Sequence, residues 1–374
     1  MHFKVNRSAL ARELALLSGV VEARTTIPIL SNVLLSTDGH RLNLAAADLE
    51  RAISCGVDAE VIEGGAITLP AKRLTEYVKA CQAEEIAISV DDKNWATVKA
   101  GRSRSRMAGT SAESFPQSPE SAVNSFTINA RAFMRLLNRV RIAISKEESR
   151  FALGGALVEG RDGKLLVVAT DSHRLAMAET VYHMDFRFLI TTMAITAYAK
   201  LADSSAGASE VAISQDENNI YFVVGGRTLV SRKLSGNFPD YKRVLPNHTI
   251  TATVDRGAFG AAIGRVAQFA DEWSKAIRVS VSAEGIAISA AQADLGDASE
   301  LIECEYSGDA PLEFGFNGTY LSDFLAAAES TKVQMLVKDG KSAVELRPMA
   351  GAGTEQDPYR ATSDYRYILM PMRV

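Results

Sequence analysis

Residues 3–10, 126–133 and 252–259 read FKVNRSAL, FTINARAF and ATVDRGAF, three times a short strand-like stretch, a polar residue and the start of a helix. The matched apolar positions Leu10, Phe133 and Phe259 stand 123 and 126 residues apart, close to a third of the 374-residue chain. No other feature constrains the fold as strongly, because a repeat must be recognised before any element is assigned. A period of this size exceeds the ~20–50 residues of stacked solenoid units and matches an ordinary domain with its own core. The reading is three tandem domains, 1–124, 125–249 and 250–374; duplication for stability alone is the blander explanation.

The likeness continues through each third. After the opening helix, alternating stretches flank turns at Asp38-Gly39 and Asp162-Gly163. A strand then feeds a second helix at 66–80, 188–201 and 312–328, and each third closes on paired strands: 85–90 with 96–100, 211–214 with 220–224, and 332–337 with 343–346. Period-2 alternation marks the strands, and Asp339-Gly340 signals a hairpin turn. The predicted class is α+β, three repeats of about eight strands and two helices each.

Composition narrows the function. With 47% hydrophobic and 23% charged residues the chain is globular, which excludes disordered and collagen-like classes. Cys55, Cys81 and Cys304 are odd in number and widely spaced, so neither a disulfide framework nor a cysteine metal site is expected, and a reducing cytoplasm is. No apolar run approaches the ~18 residues of a membrane span, and no basic, then apolar, leader opens the sequence.

A net charge of −4 argues at first against binding nucleic acid. The charge is segregated, however. Six windows around the predicted helices (5–24, 71–82, 129–150, 194–203, 255–269, 317–330) sum to +6, leaving −10 for everything else. Arg131, Arg135 and Arg139 recur every four residues, as a cationic stripe facing a line of phosphates would. A solvated helix face is the alternative. Few aromatics interleave, so stacking or base readout is not expected, and any DNA would be held by its backbone.

Asp171, Ser172 and His173 carry triad chemistry in one tripeptide, but neighbours on a strand point to opposite faces and cannot converge as nucleophile, base and orienter. No Gly-x-Ser-x-Gly elbow, phosphate-binding P-loop or His-x-x-x-His pair occurs. A hydrolase is therefore the weakest of three readings, behind a protein that holds DNA by its backbone and a scaffold that never touches DNA. No catalytic residue, metal site or cofactor is expected.

Residues 170–176 (TDSHRLA), 238–246 (FPDYKRVLP) and 367–374 (YILMPMRV), in this order along a threefold repeat, resemble the bacterial DNA polymerase III beta subunit family, the sliding clamps. The resemblance implies a head-to-tail homodimeric ring of six domains, with helices lining the hole and sheets forming the outer wall. Such a ring slides along double-stranded DNA without sequence preference. It tethers the DNA polymerase III alpha subunit, the clamp loader, and other polymerases and repair proteins that carry clamp-binding peptides; no membrane partner is implied.

DNA-facing positions carried over are Arg24, Lys72, Arg73, Arg135, Arg139, Lys146 and Arg150. Those of a hydrophobic peptide-binding cleft are Leu153, Thr170, His173, Arg174, Leu175, Pro239, Arg243, Val244, Ile368, Leu369, Met370, Pro371, Met372 and Arg373. Methionines suit a groove that accepts varied peptides. For ring closure, Arg102, Arg104 and Arg106 alternate on one candidate edge strand and Glu303 and Glu305 on another, with Glu300 beside them; opposite charges would pair the strands. The alternative is a soluble edge that blocks aggregation. Met107 and Phe269 would add an apolar contact. Three departures stand out: Ser172 where relatives usually carry Gly, Ser105 where an aromatic is common, and 191–196 (TTMAIT) where a Pro and basic residues are usual.

Overall fold

A computed structural model describes residues 1–21, 26–117, 119, 125–147, 149–205, 207, 209–294, 296–349 and 364–373. Among these, six α-helices occur, two in each third: α1 (Arg7–Leu17), α2 (Ala71–Ala80), α3 (Ala130–Val140), α4 (Thr192–Ser204), α5 (Arg256–Val266) and α6 (Gly318–Ala327). The opening motifs begin the first helix of each third for one local reason. Asn6, Asn129 and Asp255 each end a strand, and each side chain accepts a backbone N–H three residues on, from Ala9 (3.1 Å), Ala132 (2.9 Å) and Ala258 (2.8 Å). Such caps satisfy donors that a helix start leaves free, worth ~1 kcal/mol apiece. Leu10, Phe133 and Phe259, on those helices, are fully buried. The predicted strands at 85–90 and 332–337 fall as Glu85–Val90 and Lys332–Val337.

Two compact units divide the chain, and neither coincides with a repeat. The first comprises 1–134 and 193–233, the second 135–192 and 234–374, so the central repeat contributes to both. In the first unit a twelve-stranded sheet runs from edge strand Ser103–Ala108 to Ser125–Asn129. Its 13-residue strand Arg51–Glu63 pairs antiparallel with His2–Asn6 near one end and with Arg227–Arg232 near the other, welding the first repeat to the second. Tyr198 packs edge-to-face on Phe133, ring centroids 5.3 Å apart, and donates its hydroxyl to the Ala130 carbonyl at 3.1 Å. Glu13, on α1, is buried and bound by Arg227 of the second repeat, which offsets the cost of its desolvated charge.

The second unit uses the same device. Its nine-stranded sheet joins Arg174–Val181 of the second repeat to Asp364–Leu369 of the third, with Leu175 opposite Ile368 and Ala176 opposite Tyr367. A separate four-stranded sheet has the order 296–302, 285–292, 276–282, 312–317. The seam between Arg174–Val181 and Asp364–Leu369 positions the site described next.

Candidate functional site

Leu175 and Ile368 face each other across this seam and join Leu157, Val168, Met177, Leu189 and Phe238 in one buried apolar cluster. Above it opens a cavity of about 220 Å³. Of the cleft positions expected from sequence, eight line it: Leu153, Thr170, Arg174, Leu175, Pro239, Val244, Ile368 and Met370. Ser172, Asp240 and Tyr241 line it as well, and were not among those positions. Asp240 and Tyr241 sit inside the 238–246 motif, so their neighbourhood was the available signal. Leu369 is buried, one residue out of phase with Ile368 on the strand, while His173 is exposed and Arg243 pairs with Asp240 at 3.0 Å. Met372 and Arg373 instead line a wider groove of about 640 Å³ with Ser274, Arg278 and Asp297. There the Met372 N–H donates to the Gly315 carbonyl at 2.8 Å. Pro371 stands between the two groups.

The polar groups of the cavity are mostly committed. Arg174 is buried, donates to Asp171 (2.9 Å), Asp323 (2.6 Å) and the Tyr367 hydroxyl (3.2 Å), and lies 4.1 Å from the Tyr320 ring centroid. Burial works against its charge, but Tyr367, Asp323 and Asp171 outweigh it and hold its pKa above the ordinary value. Arg174 therefore braces the wall. Thr170 donates its hydroxyl to the Arg174 carbonyl (2.7 Å) and accepts the Ser172 N–H (3.2 Å). Asp171 accepts the His173 and Arg174 N–H groups, each at 3.0 Å. That ties its carboxylate into the turn and into Arg174, so Asp171, Ser172 and His173 assemble no triad. Ser172 itself has φ +78°, the left-handed region that costs a residue bearing a Cβ ~1–2 kcal/mol. Gly would take this conformation freely.

The expected DNA-facing residues separate into groups. Lys72 and Arg73 on α2 are exposed, as is Lys146. Arg24 lies outside the described residues. Arg135 and Arg139 are little exposed, their side chains 12% and 6%, and both pair with Glu329, at 3.2 and 3.6 Å. Arg139 also lies over Tyr365, 5.5 Å from the ring centroid. The reason is helical geometry. Four residues advance ~40° beyond a full turn at 3.6 residues per turn, so the stripe winds ~80° from Arg131 to Arg139 and carries the latter into packed surroundings. Arg131 stays exposed. Arg150 is engaged too, by Glu147 (2.8 Å) and the Ser172 hydroxyl (2.7 Å).

At the candidate closing edges, Arg102 precedes the strand Ser103–Ala108, on which Arg104 and Arg106 are exposed and Met107 is buried. Arg106 pairs with Asp91 at 2.8 Å and lies over the Trp95 ring. The acidic edge is not one strand. Glu303 stands where the chain leaves strand Gly296–Ile302 of the four-stranded sheet for Cys304–Tyr306 of the nine-stranded sheet, so Glu303 and Glu305 do not alternate on a common edge. Glu300 pairs with Arg265, Glu305 with Lys332, and Phe269 is half-buried beyond α5.

Comparison with known proteins supplies the family. The models of the DNA polymerase III beta subunit match in sequence order, the N-terminal domain at residues 1–119, the central at 127–240 and the C-terminal at 242–359. The chain is 34% identical to the beta sliding clamp of Pseudomonas aeruginosa and 33% to that of Caulobacter vibrioides, over 100% of each chain. The Pseudomonas aeruginosa clamp solved with bound griselimycin superposes with a TM-score of 0.92 at 33% identity, covering 100% of both chains. The Bacillus subtilis clamp, at 22% identity, shares the fold with the same TM-score over 100% of this chain and 99% of its own. The chain therefore belongs to the DNA polymerase III beta subunit family, the beta sliding clamps, which are non-catalytic processivity factors.

Proposed function

We propose that this clamp closes as a head-to-tail homodimeric ring around duplex DNA, slides along it, and tethers the polymerase alpha subunit, the clamp loader and other replication and repair proteins by peptides seated over Leu175 and Ile368. The cavity carries this reading: an apolar floor built across the seam of two repeats, walled by Val244 and Met370 and braced by a neutralised Arg174, suits a short hydrophobic segment. The bounds 1–124, 125–249 and 250–374 are the proposed repeats, with twelve helices of two chains lining the hole and the sheets outside.

Lys72, Arg73 and Lys146, joined by the exposed Arg131, are the proposed phosphate contacts in the described chain, and Arg24 remains with them. Each exposed cation contributes little to affinity, and that contribution falls with salt, so retention rests on topology rather than on grip. Arg104 and Arg106 facing Glu300 and Glu305 across two chains would select the closing partner. No described helix is long and apolar enough to cross a membrane, and a cytoplasmic site of action is proposed with the rest.

Loading onto a nicked circular plasmid followed by linearisation tests the ring. Loss of the bound protein on linearisation at moderate salt is expected. Retention on linear DNA would overturn the clamp reading, and failure to bind the circle at all would favour a scaffold that never engages DNA.

A further inference from the structure

Ser172 stands at the rim of the cleft, in a backbone conformation that opposes any Cβ. Two observations say what the side chain does there. Its Oγ accepts a hydrogen bond from Arg150 Nη1 at 2.7 Å, and Arg150 is in turn fixed by Glu147 at 2.8 Å and reaches the Asp171 carbonyl at 3.4 Å. The hydroxyl proton of Ser172 meets no acceptor among the described residues. Three other polar side chains at the cavity are engaged: Thr170 with Arg174 and Ser172, Arg174 with Asp171 and Asp323, Asp240 with Arg243; among the described residues the Tyr241 hydroxyl is the cavity's other uncommitted polar group.

A hydroxyl that accepts from a guanidinium is polarised and becomes a stronger donor itself. We infer that Ser172 is a specificity-determining residue of the cleft, giving its O–H to a backbone carbonyl oxygen of the docked peptide, and that Arg150 is the positioning residue that orients and polarises it. The inference rests on the peptide-cleft reading above and adds to it a polar requirement that a Gly at this position cannot impose. It also takes Arg150 from the DNA-facing set and gives it to the cleft.

The probe is a fluorescent peptide from the DNA polymerase III alpha subunit of the same organism, competed with griselimycin, against the full-length protein. Ser172→Ala and Ser172→Gly are both expected to weaken binding about 5- to 20-fold, as loss of one charge-assisted hydrogen bond does. If Ser172 acts only by narrowing the cleft, Ser172→Gly tightens binding and Ser172→Ala changes nothing, and the inference falls. Arg150→Gln should weaken binding, show no further loss when combined with Ser172→Ala, and be rescued by Arg150→Lys, which can still donate to Oγ. An ester-for-amide scan of the peptide, which weakens one carbonyl acceptor at a time, should reveal one position sensitive in the wild type and insensitive in Ser172→Ala. No such position in the wild type refutes the donor role. A wild-type protein that binds neither peptide nor griselimycin would instead overturn the cleft itself. Unchanged melting temperatures of the variants guard against a folding defect as the cause.

Discussion

Glu345 is fully buried on the strand Val344–Pro348, directly opposite Ile368 of the cleft floor, and replacing it by Gln is the most informative single perturbation of the second unit. Its carboxylate receives Arg366 through Nε (2.6 Å) and Nη2 (2.8 Å), His248 Nε2 at 2.7 Å, and Arg347. Burial opposes the charge, but the hydrogen bonds from Arg366, His248 and Arg347 win and bring the carboxyl down to about 2 from an ordinary 4.5. At ~1.4 kcal/mol per pH unit of displacement, the ionised carboxylate contributes about 3 kcal/mol. Removing the charge of a buried ion-pair partner costs ~3–5 kcal/mol by a separate route, since the largely covered Arg366 and His248 would face a neutral amide with one acceptor oxygen in place of two. The two figures agree.

The pH dependence gives the sign. A carboxyl whose folded pKa lies below its unfolded value stabilises fully above about pH 4.5 and loses that contribution as pH falls toward 2. Urea unfolding of wild type and Glu345→Gln from pH 7 to the lowest pH at which both still fold should show a gap of about 3–5 kcal/mol at pH 7. The gap should narrow in acid, where the wild-type carboxyl is itself neutral. Amide exchange along Asp364–Leu369 localises the effect to this sheet. A gap under ~1 kcal/mol at pH 7, or one that persists unchanged near pH 3, would refute the reasoning.

Arg139→Gln should lower stability by ~1–2 kcal/mol, by losing the contact with Tyr365 and one of the two cations on Glu329, which keeps Arg135, while the salt dependence of DNA binding stays as in wild type. A shallower salt slope in filter binding would return Arg139 to the DNA surface. Met370→Ala should weaken alpha-subunit peptide binding about tenfold in calorimetry and exceed the effect of Met372→Ala, because only Met370 lines the smaller cavity. The reverse order would place the peptide in the wider groove.

The elements themselves were legible because their causes are local. Asn6, Asn129 and Asp255 announce helix starts by their own side-chain chemistry, and alternation announces strands, so the three repeats and their paired helices can be read from the chain. The apolar half of the cavity was reachable through the family resemblance of its three motifs. Ser172 was flagged as a departure, but its φ and its bond to Arg150 depend on a residue 22 positions away.

The sequence alone determines the threefold repeat, the α+β class and the separation of charge between helical windows and the remainder, because each follows from the order of residues along a few turns or strands. Tertiary structure alone decides how the repeats are joined and which charges are free. Strand edges pair without regard to repeat boundaries, so 51–63 binds 227–232, and 174–181 binds 364–369, and the compact units cut through the central repeat. The same long-range packing brings Glu329 to Arg135 and Arg139 and leaves Glu303 between two strands of different sheets. A local pattern fixes where a side chain stands on its own helix or strand; what it meets there is set by chain far away in sequence.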